Sequence, residues 1–143
     1  SFVLRKGGGV MQDRTASEIM SCPVISAKKN AYVRDIAIEF LTEQYSGMPV
    51  TESDGSVIGI VSEIDILQAV NEGHELSTTT AAEIMTKDVA TATPDTPMTE
   101  MIKIMKNLHV IRLPIVEGGK LVGVVSRRDI IRSMIEPEFM SNK

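Results

Sequence analysis

The sequence predicts an α+β fold, two β-α-β-β-α units packed sheet to sheet with pseudo-two-fold symmetry. Three observations predict it. The heptapeptide GIVSEID at 59–65 returns as GVVSRRD at 123–129. At an offset of 65, Glu18-Ile19-Met20 falls on Glu83-Ile84-Met85, and Met48-Pro49-Val50 falls on Leu113-Pro114-Ile115. The offset drops to 64 at Gly59 and Gly123, and the lost residue falls in a turn, TESDGSVIG against VEGGKLVG, where a structural repeat accepts deletions. A three-stranded sheet with helices on one face leaves too much apolar surface to stand alone, so the halves are expected to pair into one module.

Each half reads in the same order. A brief strand is expected at Pro23-Val24-Ile25 and again at Val89-Ala90-Thr91. A helix follows, with an apolar stripe at Val33, Ile36, Ala37, Phe40 and Leu41, and in the second copy at Met98, Met101, Ile102, Met105 and Leu108. The second helix has its start marked by Asp95 or Thr96 as cap and Pro97 in the first turn. A strand (MPVTE or LPIVE), a turn at Asp54-Gly55 or Gly118-Gly119, and a second strand (SVIGIVS or KLVGVVS) make a hairpin. The last helix buries Ile64, Ile66, Leu67 and Val70 and stops at Gly73; its copy uses Ile130, Ile131, Met134 and Ile135 and ends at Pro137. The expected organisation is a flexible N-terminal arm or cloning remnant at 1–15, repeats at 16–75 and 80–136, and a tail at 137–143.

Composition narrows the function classes. The chain has 143 residues, is 43% hydrophobic and 24% charged, and carries a net charge of −4, which is globular and offers no basic stripe for a phosphate backbone. Three Phe, two Tyr and no Trp make a base-stacking platform unexpected. Cys22 is the single cysteine, so no intramolecular disulfide forms; it reads as a small buried hydrophobe in a reducing compartment. No apolar run reaches the roughly 18 residues of a membrane span and no signal peptide opens the chain, which points to the cytoplasm and to no membrane insertion. His74 and His109 share no metal-ligand spacing, though His109, three residues before Arg112, is placed for a secondary phosphate contact. Neither a P-loop nor a GxGxxG nor a Ser/His/Asp order is present, and no base stands beside the serines to activate them, so the chain is not expected to be an enzyme.

In both heptapeptides the serine sits where a strand gives way to a helix. Ser62 or Ser126 can cap, and Asp65 or Asp129 then falls at the third helical position, where its carboxylate reaches back to the cap N–H. The bland reading ends there. The glycine three residues before each serine permits a close approach, and the helix N-terminus offers N–H groups to an anion. A carboxylate beside such an end accepts from neighbouring hydroxyls, as on a ribose; together these suggest a nucleotide.

The duplicated unit, the opening A-x-E-I-M, the h-P-h strand and G-h-V-S-x-x-D resemble a tandem pair of cystathionine β-synthase (CBS) domains over roughly residues 16–136. The resemblance implies a regulatory module with two clefts that bind AMP, ADP, ATP, S-adenosylmethionine or NAD, commonly paired into a homodimer and attached to, or serving, an effector protein. By the family's pattern one site would use Ile60, Ser62 and Asp65 with Val89, Ala90, Thr91 and the segment Ile111-Arg112-Leu113. The other would use Val124, Ser126 and Asp129 with Val24, Ile25 and the segment Ser46-Gly47-Met48. Arg112 matches a phosphate-binding position whose counterpart is Gly47. Arg127 and Arg128 stand beside the second serine where the first motif has Glu63 and Ile64, so the sites are expected to differ.

The favoured reading is an adenine-nucleotide sensor that requires no cofactor and takes AMP, ADP or ATP as regulatory ligand, because its arginines suit phosphate. The alternatives are a structural homodimerisation module that binds nothing and an S-adenosylmethionine or NAD sensor, which Glu63 keeps open for the first site. An enzyme or a nucleic-acid binder is the least supported class. The broad apolar arc Met98, Met101, Ile102, Ile104 and Met105 exceeds one core face, which points to a second subunit.

Overall fold

The computed structural model describes residues 3–6, 9–21 and 24–140, with side chains described for 13–21 and 24–135. Its elements run β1 (Val3–Lys6), β2 (Gly9–Gln12), α1 (Ala16–Ile19), β3 (Ala27–Lys28), α2 (Val33–Glu43), β4 (Gly47–Thr51), β5 (Val57–Ser62), α3 (Glu63–Asn71), α4 (Ala81–Ile84), α5 (Met98–Leu108), β6 (Arg112–Glu117), β7 (Lys120–Ser126) and α6 (Arg127–Met140). The fold is α+β, with strands and helices repeated in the two halves. The reading of Cys22 lies outside the described residues, as does Pro23.

Two compact units emerge, and neither is a sequence repeat. Unit one comprises Ser1–Val24, Ala90–Gly118 and Val122–Lys143; unit two comprises Ile25–Val89 and Gly119–Leu121. Each repeat's opening segment therefore folds with the body of the other repeat. In unit one, Ala16 N–H donates to Thr96 C=O and Ser17 N–H to Pro94 C=O, both at 2.9 Å. In unit two, Ala81 N–H donates to Ala31 C=O at 2.8 Å and Ala82 N–H to Lys29 C=O at 2.9 Å. Both short helices begin with a capping box, Thr15 with Glu18 and Thr80 with Glu83. The bonds from the Thr15 backbone N–H and hydroxyl hold the Glu18 carboxyl below the ordinary carboxylate range.

This exchange also starts the long helices. Val33 N–H donates to Thr79 C=O at 2.8 Å, and Met98 N–H donates to Arg14 C=O at 2.6 Å. Asp13, buried at 8% exposure, accepts from Thr99 N–H at 3.1 Å and Thr99 Oγ1 at 2.5 Å. The cap expected from Asp95 or Thr96 thus comes from a carboxylate 86 positions away, and Pro97 occupies the N-cap place itself. The stretch read as a flexible arm accordingly holds strands β1 and β2, paired antiparallel, and residues 13–15 bonded to the start of α5.

Each sheet is a hairpin with one short addition on either side. In unit two, β4 pairs antiparallel with β5 and parallel with β3, and Thr86 bridges to Ile60 on β5's free edge. In unit one, Ala92 bridges in parallel to Ile115 of β6, and Ser21 bridges to Val124 of β7. Just downstream of the brief strands expected at 23–25 and 89–91, Ala27–Lys28 forms a two-residue strand and Ala92 makes a single bridge. Gly55 at φ 92° and Gly118 and Gly119 at φ 58° and 80° turn the hairpins, as expected.

The core of unit one gathers Ala16, Met98, Met101, Met105, Leu113, Ile115, Val125 and Ile130. That of unit two gathers Ala27, Val33, Ile36, Phe40, Met48, Val50, Val61, Ile66 and Ala81. Burying each large apolar side chain contributes about 1.5–3 kcal/mol, and unbranched methionine fits the irregular space around α5. The helical stripes are narrower than the sequence suggests. Leu41 is 83% exposed, because eight residues at about 100° each carry it about 80° from Val33. Ile64, Leu67 and Val70 are 66%, 63% and 51% exposed, so of the four expected residues α3 buries Ile66, together with Ala69. Ile102, Leu108, Ile131 and Ile135 are likewise exposed. α3 ends where Gly73 takes φ 90°, but α6 continues past Pro137 to Met140. A proline there omits one bond to the Ser133 carbonyl without ending the helix.

Candidate functional site

The two heptapeptides build the same corner twice. In unit two, β5 ends at Ser62, whose oxygen accepts from Asp65 N–H at 3.3 Å, while Asp65 Oδ2 accepts from Ser62 N–H at 2.8 Å and from its hydroxyl at 2.9 Å. In unit one, Asp129 N–H donates to Ser126 Oγ at 3.1 Å and Ser126 N–H to Asp129 Oδ2 at 2.8 Å. Both caps expected from the sequence are present. Each carboxylate is then reached by a hydroxyl from an opening segment. Thr86 Oγ1 donates to Asp65 Oδ1 at 3.1 Å; Ser21 Oγ reaches Asp129 Oδ1 at 3.2 Å and Oδ2 at 3.3 Å. Thr86 and Ser21 escaped the sequence reading, although both follow E-I-M directly and fall on each other at the offset of 65.

The motif glycines serve this docking. A Cβ on Gly59 would stand 2.8 Å from Met85 Cγ and 2.9 Å from the Thr86 carbonyl oxygen. One on Gly123 would stand 2.9 Å from Met20 Cγ and 3.2 Å from Met20 Cβ. The close approach inferred from these glycines is therefore made by the E-I-M methionine of the docked segment. Backbone bonds complete it: Ile60 N–H to Thr86 C=O at 2.9 Å, Thr86 N–H to Ile60 C=O at 2.8 Å, and Ser21 N–H to Val124 C=O at 3.0 Å.

The helix starts are partly used. Glu63 N–H donates to Ser46 C=O at 3.2 Å and Arg127 N–H to Ile111 C=O at 2.9 Å. With the third N–H of each helix on its cap serine, two of the first three donors are taken, so an anion meets a narrower set than a bare helix end offers.

The structure gathers the residues singled out from the sequence as follows. Ile60, Ser62, Asp65 and Val89 lie in unit two, as do Ile25, Ser46, Gly47 and Met48; Val24, Ala90, Thr91, Ile111, Arg112, Leu113, Val124, Ser126, Arg127, Arg128 and Asp129 lie in unit one. Within unit one, the Ile111 carbonyl touches its own motif through Arg127, and Ser46 touches Glu63 in the same way within unit two. Met48 and Leu113 are buried in their cores. Arg127 and Arg128 are exposed, while Arg112 is half-buried. His109 closes α5 in the left-handed conformation, φ 55°, as Gln44 closes α2 at φ 60°.

A cleft of about 180 Å³ in unit two opens beside Asp65, lined also by Gln68, Glu72, His74, Glu83 and Thr86. Among the described residues no three His, Cys, Asp or Glu side chains are grouped to hold a metal ion, and no helix is long and apolar enough to cross a membrane.

Comparison with known proteins agrees with this architecture. The chain matches the CBS domain family over residues 16–72 and 81–136, and it belongs to that family as a tandem pair. An uncharacterized 17.7 kDa protein of Acidianus ambivalens is 34% identical over 125 residues, 87% of this chain and 75% of that protein. Other relatives are longer: the chain covers 27% of a homoserine O-acetyltransferase of Methanosalsum zhilinae, at 29% identity and over 91% of its own length. The crystal structure of the CBS domain pair of protein MJ0100, in complex with 5-methylthioadenosine and S-adenosyl-L-methionine, superposes with a TM-score of 0.78 and 26% identity, over 88% of this chain and 99% of that one. The CBSX2 structure in complex with AMP shares the fold, with a TM-score of 0.76 and 19% identity, over 87% and 98% of the two chains.

Proposed function

We propose that this CBS pair is a regulatory sensor of adenosine nucleotides, AMP, ADP or ATP, in which the two cap aspartates double as ribose anchors. The observation that carries the proposal is the pair of hydroxyl-to-carboxylate contacts, Thr86 on Asp65 and Ser21 on Asp129. A carboxylate has about four acceptor directions, of which Asp65 uses three, while Asp129 Oδ1 is shared between the Ser21 hydroxyl and the Arg132 guanidinium. Ligands of similar chemistry support the reading: MJ0100 was crystallised with two adenosine compounds and CBSX2 with AMP. Arg127 and Arg128, exposed at the start of α6, supply phosphate-suited cations on the Asp129 side; Glu63 in the corresponding place disfavours phosphate beside Asp65. Binding would act by differential affinity for two arrangements of the module, with no chemistry performed, in a cytoplasmic setting and toward an effector protein.

The exposed apolar residues Ile64, Leu67 and Val70 on α3, and Ile131 and Ile135 on α6, favour self-association into a homodimer. A purely structural dimerisation module draws its support from the completeness of the two caps. Thermal unfolding with AMP, ADP, ATP, S-adenosylmethionine and NAD in turn separates the readings. At about 100 times its dissociation constant a ligand adds about 2.7 kcal/mol and raises the midpoint by several degrees. No shift with any of the five would leave the structural module.

A further inference from the structure

The two cap carboxylates differ in what already holds them. Asp65 Oδ1 accepts one neutral hydroxyl, from Thr86. Asp129 Oδ1 accepts two donors, the Ser21 hydroxyl at 3.2 Å and the Arg132 guanidinium at 3.1 Å. Arg132 lies one helical turn along α6, with its side chain 51% exposed against 8% for Asp129. The equivalent residue on α3 is Gln68, whose amide turns to Glu72 at 3.4 Å, leaving Asp65 without a cationic partner from that position.

We infer that Arg132 is a specificity-determining residue of the Asp129 site: an internal occupant of the acceptor oxygen that a ribose hydroxyl would use. The inference rests on the proposed nucleoside reading. A hydroxyl arriving at Asp129 shares Oδ1 with a guanidinium that neutralises its charge, and a carboxylate paired to a cation is a weaker acceptor than a bare one. A neutral nucleoside therefore competes with Arg132. A nucleotide brings its own anion, and the half-exposed Arg132 side chain can leave Asp129 for the phosphate. The Asp129 site thus prefers phosphorylated ligands to nucleosides for a reason internal to α6, a preference that Gln68 does not give the Asp65 site.

The test uses the full chain, with adenosine and AMP as probes in calorimetric titrations. Asp65→Ala isolates the Asp129 site, and Asp129→Ala isolates the other. Adding Arg132→Gln to Asp65→Ala should raise adenosine affinity about two- to fivefold, the scale of an exposed ion pair, and lower the AMP-to-adenosine ratio. Adding Gln68→Arg to Asp129→Ala should lower adenosine affinity by a similar factor. Adenosine affinity that stays unchanged or falls with Arg132→Gln, while AMP still binds the wild-type chain, overturns the role of Arg132 alone. If neither probe binds the wild-type chain, the nucleoside reading fails and this inference with it.

Discussion

Ser21 and Asp129 stand 108 positions apart in the chain, and the serine hydroxyl lies 3.2 Å from the carboxylate. One contact thus joins the docked opening segment, the cap of α6 and the proposed ribose anchor. Removing Asp129 should cost the cap, the Ser21 contact and the ion pair with Arg132, whereas Ser21→Ala should cost the Ser21 contact alone. We expect Asp129→Ala to lower stability by about 1–2 kcal/mol and Ser21→Ala by about 0.5–1.5 kcal/mol, from urea unfolding midpoints. A less-than-additive double variant would show that they act on one another.

The glycine–methionine packing predicts an asymmetry in rescue. Gly123→Ala meets only the flexible Met20 side chain, whereas Gly59→Ala also meets the Thr86 carbonyl at 2.9 Å. Each should destabilise by about 1–3 kcal/mol, as overpacking does. Met20→Ala should recover part of the loss from Gly123→Ala. Met85→Ala should recover less from Gly59→Ala, because the carbonyl remains. Equal rescue in the two repeats would contradict the geometry.

Thr51 is 2% exposed and its Oγ1 has no hydrogen-bond partner among the described residues. The second repeat carries Val116 at the corresponding place. Thr51→Val keeps the shape, removes an unsatisfied hydroxyl and should raise stability by about 1 kcal/mol, read as a higher unfolding midpoint at unchanged m-value.

Asp54 supplies the pH dependence. Its carboxylate accepts from Ser56 N–H at 3.0 Å and the Ser56 hydroxyl at 2.7 Å, with Lys120 Nζ at 3.4 Å, and these hold its pKa at about 2 against an ordinary 3.8. A depressed folded-state pKa means that the unfolded chain takes up the proton first as pH falls. The stabilisation is therefore complete above pH 3.8 and is lost as pH falls toward 2. Asp54→Asn should flatten that stretch of the profile of melting temperature against pH, leaving the neutral side parallel to wild type.

Much of this molecule is legible in its sequence because the information is local and stated twice. The Ser62–Asp65 and Ser126–Asp129 caps span three residues, and the hairpin turns announce themselves through Asp54-Gly55 and Gly118-Gly119. What the sequence hides is long-range. Asp13 caps α5 across 86 positions, and no local pattern distinguishes it from any acidic residue before a helix. The exchange of opening segments is hidden for the same reason: alignment shows that 16–21 corresponds to 81–86 but not which body each joins. Once that exchange is known, Ser21 and Thr86 become visible as hydroxyls that reach the cap carboxylates. Periodicity overstates burial too, since Leu67 and Ile131 fit an apolar stripe yet lie open to solvent.

The most direct test of the central claim is calorimetric titration of AMP into the wild-type chain and into the double variant Asp65→Ala/Asp129→Ala. Saturable binding to the wild type is expected, and it should be lost in a double variant that still unfolds cooperatively. Undiminished binding in that folded double variant would show that the cap carboxylates do not anchor the ribose.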